Sequence, residues 1–567
     1  MKSISTKTLL LILTLAISFS TFSRVSIIYN IKGHTINQYE LTTFSSIAFE
    51  YGRVLKISSK DDLLELYPDA ERIDGKGQAM LPGLHDSYTN MMQSVFMITQ
   101  VDLREAKSID EALKKIQNFI DKHPKAKWIQ GYGWDHQKWP NQQLPTYLDL
   151  DKLKTNKPIW LKAYNKKMGW ANSKAMKIAR AAKYRSNPRG GSVIFDRNGK
   201  HTGIYIDHAL NIISPHIPDI SPDEKYNILT KNLAKLSSLG ITGLNDTGAD
   251  YRTSVIYKAL ASNDKLPIRV NAIISSSEKK LKYILAKGPY HEENQFLHIH
   301  ALKYYIDGEL NTYDAAMFQP YLDRKSSSGK IRQPQHFLQE NIYKNARKGW
   351  QVSIHAVGDK ANNIALEVLS DEKAKTVELR HRIERATIIQ LKDFEKFKDS
   401  HLIVSIQPNK AIAEIPLYKK RIGKQRLRGT HAWQSLIKNS ATVISGSDFP
   451  QLPANPFYGI HAAVNRQTRN NNPKPSWTSA EKMTVAQALA TYTINAAYAN
   501  RQEQSLGGLE TGKWADFILL DQDIFDIDPG QIWKTKVLQT WVAGKKIYDL
   551  KVLQEKNKIF SDSLEKR

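Results

Sequence analysis

The chain has 567 residues, 41% of them hydrophobic and 9% aromatic, which excludes a wholly disordered polymer and provides for a large core. It contains no cysteine, so disulfides, thiolate zinc sites and a cysteine nucleophile are all excluded. Lysine and arginine number 82 against 56 aspartates and glutamates, a net charge of +26. No arginine-rich arm or nucleic-acid motif accompanies that charge, so it reads as a solvated lysine-rich surface and not as a nucleic-acid interface.

In chain order, Lys2 and Lys7 flank or precede the short apolar run 9–20, "LLLILTLAISFS". It is too short for a comfortable membrane span, and no later run approaches about 18 apolar residues. The expectation is a signal peptide over 1–23, an exported (periplasmic or secreted) protein and no stable membrane insertion. Strand patterns before residue 80 ("RVSIIYNIKGHTIN", "FSSIAFEYGRVLKIS") are matched near the far end by "ADFILLDQD" and "VLQTWVAGKKIYD". Residues 24–80 plus 500–550 are therefore expected to form one composite β-sandwich, with a charged tail over 551–567.

Residues 81–499 carry a βα rhythm. Its clearest helix opens at Ser221, with Pro222 in the first turn, Glu224 placed for a capping box, and Ile228, Leu229, Leu233 and Leu236 along one face; Gly240 stops it. Eight strand candidates follow one another: "MLPGLHD", "ITGLND", "PIRVNAIISS", "LHIHALKYYID", "GWQVSIHAV", "TVELRHRIE", "HLIVSIQP" and "ATVISGSD". Each ends in polar residues, the pattern of an α/β fold of the (β/α)8 barrel type with its chemistry at the C-terminal strand ends. Residues 105–215, rich in Gly, Trp and Asn, break the rhythm and read as an insertion between the first and second strands, folded over the mouth.

The stretches "MLPGLHDS", "GITGLNDTG", "LKYYIDGELNTYDAAM", "VSIHAVGDKANNIAL", "RHRIERA", "VSIQPN", "SGSDFP" and "TYTINAAYANRQEQSLGGLETGKWADFILLD" resemble the amidohydrolase superfamily. The resemblance is to its family 3 branch, which includes N-substituted formamide deformylases, and it covers nearly the whole chain after residue 23. It implies a hydrolase of non-peptide C–N bonds using a binuclear zinc site. Of the six metal and catalytic seats so implied, three are filled: Lys303 as the bridging lysine, His355 on the fifth strand, and Asp448 as general base on the eighth. The first-strand His-x-His is replaced by Tyr88 and Asn90, and the sixth-strand histidine by Arg385.

A phenol ionises reluctantly, an amide oxygen is a poor zinc donor, and a guanidinium cannot ligate a metal. Two further family histidines align with Lys167 and Lys410. The expectation is a metal site that has been lost, no cofactor, and a cationic mouth of Lys167, Lys303, Arg385 and Lys410 around Asp448 and His355, suited to an anionic small molecule. Arg385 is expected to pair with Asp448, while His85, next to Asp86, is a core residue facing away. Two alternatives stay open: an active hydrolase with a mononuclear or rearranged site using Lys303, His355, Asp448 and zinc, and an envelope interaction protein acting through its basic surface.

Overall fold

The computed structural model describes residues 25–555, apart from 38, 61, 166, 375 and 399. The expected signal peptide and all but the first residues of the expected tail lie outside the described residues. Among the described residues, no helix is long and apolar enough to cross a membrane.

Eight parallel strands form the barrel: β1 (Leu84–Thr89), β2 (Ile241–Ala249), β3 (Arg269–Ser275), β4 (Leu297–Tyr305), β5 (Gln351–Ala356), β6 (Arg382–Arg385), β7 (Ile403–Ile406) and β8 (Thr442–Ser445). All eight expected strands are present. The sixth begins later than its sequence pattern, because Thr376–Leu379 is a helical turn tied back through Thr376 Oγ1 to the Leu369 carbonyl (2.6 Å). The strand starts only after Arg380, at φ 55°. The Pro222–Ser237 helix is capped by Ser221, which accepts from the Glu224 N–H at 3.2 Å; the reciprocal bond from Glu224 does not form, so the capping box is half made. Leu229, Leu233 and Leu236 are buried on its inner face.

The barrel closes between β1 and β8 through backbone bonds just beyond the strand ends. Asp448 N–H donates to the Tyr88 carbonyl (3.0 Å) and Asn90 N–H to the Phe449 carbonyl (2.8 Å). Gly446 allows this approach, since a Cβ there would lie 2.4 Å from Tyr88 backbone and side-chain atoms. Asp86 completes the seam: fully buried, it accepts from the Ser447 N–H (2.9 Å), the Ser447 hydroxyl (2.5 Å) and the Tyr88 N–H (3.2 Å). Burial pushes its carboxyl up to about 7 against these hydrogen bonds. The folded protein thus keeps a proton that the unfolded chain releases near pH 4. Stability from this group falls as pH rises from about 4 to about 7, by up to about 1.4 kcal/mol per pH unit. Asp86→Asn should flatten that part of the profile, which denaturant titrations at pH 4.5 and 7.5 on both proteins would measure.

The flanking segments join in one sheet. Its strand order is Lys545–Asp549, Val537–Val542, Phe517–Leu520, Glu71–Pro82, Ser26–Asn37, Ser46–Glu50, Arg53–Ser58, with Glu40–Phe44 paired to Ser26–Asn37. The strands form one continuous eight-stranded hydrogen-bonded sheet with its own apolar core around Phe49, Phe517 and Trp541. Arg269 of β3 clamps this sheet to the barrel by two bonds to Asp516 (2.7 and 3.0 Å). The insertion is a separate six-stranded sheet spanning Gln100–Asp207, with cores that include Trp134, Trp139, Trp160 and Trp170.

Candidate functional site

The C-terminal ends of the barrel strands bring together Tyr88, Lys303, His355, Arg385, Lys410 and Asp448, residues scattered over 361 positions of sequence. Two linked pairs occupy the centre. Lys303 of β4 donates to the Tyr88 hydroxyl of β1 (2.8 Å) and to the Thr247 hydroxyl of β2 (3.2 Å). Arg385, the last residue of β6, donates to Asp448 Oδ2 beyond β8 (2.9 Å) and to the Gln407 side chain (3.3 Å). The Tyr88 ring lies between the two cations, 4.2 Å from Lys303 Nζ and 4.7 Å from Arg385 Cζ, positions at which its π face attracts both.

Arg385 and Asp448 both adopt left-handed backbone, φ 79° and 65°. A conformation unfavourable for side-chain-bearing residues persists at both partners of one ion pair because the strand ends on either side fix it.

Protonation follows from burial and partners. Burial raises the Tyr88 phenol above its ordinary range, so it stays neutral and accepts from the lysine. Burial works against the Lys303 ammonium, but Tyr88, Tyr305 and Glu384 overcome it and hold the group above its ordinary value. Burial drives His355 down to about 3, leaving a neutral imidazole whose Nδ1 has no hydrogen-bond partner among the described residues.

Glu309, which the sequence reading missed, holds the mouth together. It follows the Asp307-Gly308 turn after β4, and Asp307 anchors that turn by accepting from the backbone N–H groups of Val357 (3.0 Å), Gly358 (2.8 Å) and Ala316 (2.9 Å). The Glu309 carboxylate thereby lies 3.4 Å from Arg385, 3.7 Å from Lys410 and 3.8 Å from His355 Nε2. Burial alone would raise it, yet the Arg385, Lys410 and Lys303 charges bring it down to about 2. An acidic residue just past the end of a barrel strand was the available signal.

The remaining candidates fall elsewhere. Asn90 caps the Met91–Ile98 helix, its Oδ1 accepting from the Gln93 N–H (2.9 Å), so this amide is committed to the helix end and not to the mouth. Lys167 is exposed in the turn before Met168–Ala171, and no hydrogen bond or ion pair among the described residues joins it to the mouth. Lys410 is present but paired with Glu414 (2.7 Å) as well as Glu309. Three cations thus face three carboxylates, and the mouth is close to charge balance where a cationic ring was expected. The opening among Glu309, Arg385, Gln407, Lys410, Glu414 and Tyr418 is a cavity of about 10 Å³, room for about one water. His85 faces the other end of the barrel, 3.0 Å from Asn245 Oδ1.

A parallel eight-stranded barrel with an attached β-sheet built from both flanking segments, and with its polar cluster at the C-terminal strand ends, is the architecture of metal-dependent hydrolases. The chain belongs to the amidohydrolase family, whose model matches residues 71–548. Among curated proteins it is 29% identical to the Arabidopsis thaliana protein LONG AFTER FAR-RED 3, over 89% of this chain and 88% of that one. It is 24% identical to an N-substituted formamide deformylase of Arthrobacter pascens, over 85% and 90%. Among solved structures it resembles a metal-dependent hydrolase from Pyrococcus horikoshii, with a TM-score of 0.74 and 25% identity over 89% of this chain and 99% of that one.

Proposed function

We propose that this protein is an exported amidohydrolase-family member that has given up metal catalysis and binds a small anionic molecule at its barrel mouth. The observation that carries the reading is the occupation of the metal seats by internal partners. Tyr88 and Lys303 satisfy one another, and Arg385 neutralises Asp448, the residue that would otherwise move protons. A divalent ion there would meet a phenol and a guanidinium in place of imidazoles and an ammonium in place of a carboxylated lysine, so the residues present do not fit zinc. The export part of the reading rests on the pattern over 1–23.

Glu309 supports the choice of ligand. Its carboxylate stands among Arg385, Lys410 and His355 as an internal substitute for a bound anion, and its side chain is 32% exposed, against 7% for Arg385. Displacing it toward solvent frees two cations that no longer face enough negative charge. Glu309→Gln should therefore tighten binding of formate or acetate, the smallest carboxylate probes, by about tenfold in calorimetry. That corresponds to about 1.4 kcal/mol of removed competition. Equal or weaker binding by the variant would refute the anion reading, and zinc that is lost on His355→Ala would refute the metal-free one.

A further inference from the structure

A second histidine cluster lies at the opposite end of the barrel. β4 opens Leu297-His298-Ile299-His300, and strand alternation puts both imidazoles on one face. The two-residue strand Tyr290–His291 pairs antiparallel with β4 and sets His291 directly opposite His298. One ring nitrogen from each of the three lies within 4.8 Å of the others. His291 Nδ1 and His298 Nδ1 are 2.8 Å apart, sharing a proton, whereas neither nitrogen of the fully buried His300 has a hydrogen-bond partner among the described residues. An imidazole buried without a hydrogen bond is costly.

We infer that His291, His298 and His300 form a binding site for a late first-row divalent cation, zinc foremost, at the base of the barrel and separate from the mouth. Three neutral nitrogens with no thiolate or carboxylate select zinc, cobalt, nickel or copper over magnesium or calcium. Burial lowers the proton affinity of all three rings and keeps them in the ligating form. Tetrahedral ligands at about 2.0–2.1 Å from zinc lie about 3.3 Å from one another, so the His291–His298 contact opens by only about half an ångström as the ion replaces the shared proton.

The surroundings supply an orienting partner. The Gln502 amide is 3.2 Å from His298 Nε2, while its Oε1 accepts from Asn271 Nδ2 (3.2 Å) and Asn271 Oδ1 has no hydrogen-bond partner among the described residues. Turning both amides over gives the His298 Nε2–H a carbonyl acceptor and gives Asn271 Oδ1 a donor, the arrangement a metal-bound histidine requires. His291 is exposed, which provides an entry path and leaves a position for water. Arg501 opposes the ion, and Arg269 adds to it at His298 although it is already paired with Asp516; affinity is set lower by that charge. Lys303 is three residues further along β4, about 10 Å away, so the two ends of the barrel do not share ligands.

Full-length protein without an affinity tag, stripped by chelator and titrated with zinc or cobalt, should bind one ion per chain, and the cobalt form should show the visible bands of a low-coordinate nitrogen site. The exposed His291→Ala, the variant least disturbing to the fold, should weaken binding at least tenfold. His300→Ala should abolish it and Gln502→Ala should weaken it about tenfold, while His355→Ala at the mouth should leave it unchanged. Absence of binding in excess zinc overturns the proposal. So does an ion insensitive to His291→Ala, or one lost in His355→Ala, which would place the metal at the mouth instead.

Discussion

Arg385→Ala is expected to lower the free energy of unfolding by about 3–5 kcal/mol, the range for removing one partner of a buried ion pair. The side chains of Arg385 and Asp448 are only 7% and 10% exposed, and the guanidinium also faces Glu309. Without it, two carboxylates stay at a low-dielectric strand end, with Lys410, already paired with Glu414, and Lys303, already bonded to Tyr88 and Thr247, as the remaining nearby cations. Most of the loss is therefore the cost of the stranded charge, not the worth of the pair. Adding Asp448→Ala should recover a large part of it, and a double-mutant cycle in urea separates the two contributions. Arg385→Lys should rescue poorly, because one ammonium cannot reach Asp448 and Gln407 with the geometry of a planar fork. A single-mutant effect below about 1 kcal/mol would mean that the pair is solvated in solution and contributes no more than a surface ion pair.

Replacing Tyr88, Asn90 and Arg385 all by histidine should move the mouth from no zinc to one bound ion per chain, a larger change than any single substitution produces. His355 and Asp448 already stand at their strand ends, and loss of the Arg385 guanidinium releases Asp448. Loss of the Tyr88 hydroxyl also leaves Lys303 with Thr247 alone, which favours its neutral amine and, with bicarbonate present, carboxylation. The fold adds a complication: Asn90 caps a helix, so its replacement costs about 1 kcal/mol in addition. The measurement is zinc content by elemental analysis in a His291→Ala background, which removes the contribution of the base cluster. A folded variant with no zinc beyond its parent would show that these seats are not aligned for coordination.

The identity of the barrel was written locally. Period-2 apolar runs ending in polar residues, together with the Gly-Lys-Trp-Ala-Asp return near residue 515, specify eight strands and the flanking sheet, because strand burial depends on neighbours two residues apart. The loss of imidazole at Tyr88, Asn90 and Arg385 is likewise a matter of residue identity at recognisable strand ends. Where these side chains go was not local. Asn90 turned to its own helix because a capping bond three residues away was closer than any partner across the mouth.

Lys167 belongs to a sheet with its own core, and the packing of that sheet, not the lysine's charge, placed it in a solvent-facing turn. Glu309 entered the site through the anchoring of Asp307 to the β5 end, a contact across 50 residues. The His291 pairing needed an antiparallel edge that no period reveals, although the His298-x-His300 alternation was visible throughout. Sequence by itself therefore determined the barrel, its family and the absence of the usual ligands. The tertiary structure alone decided charge balance and hydrogen-bond partnership, since both are set by side chains brought together from strands hundreds of residues apart, where a few ångströms determine whether two charges attract or are merely near.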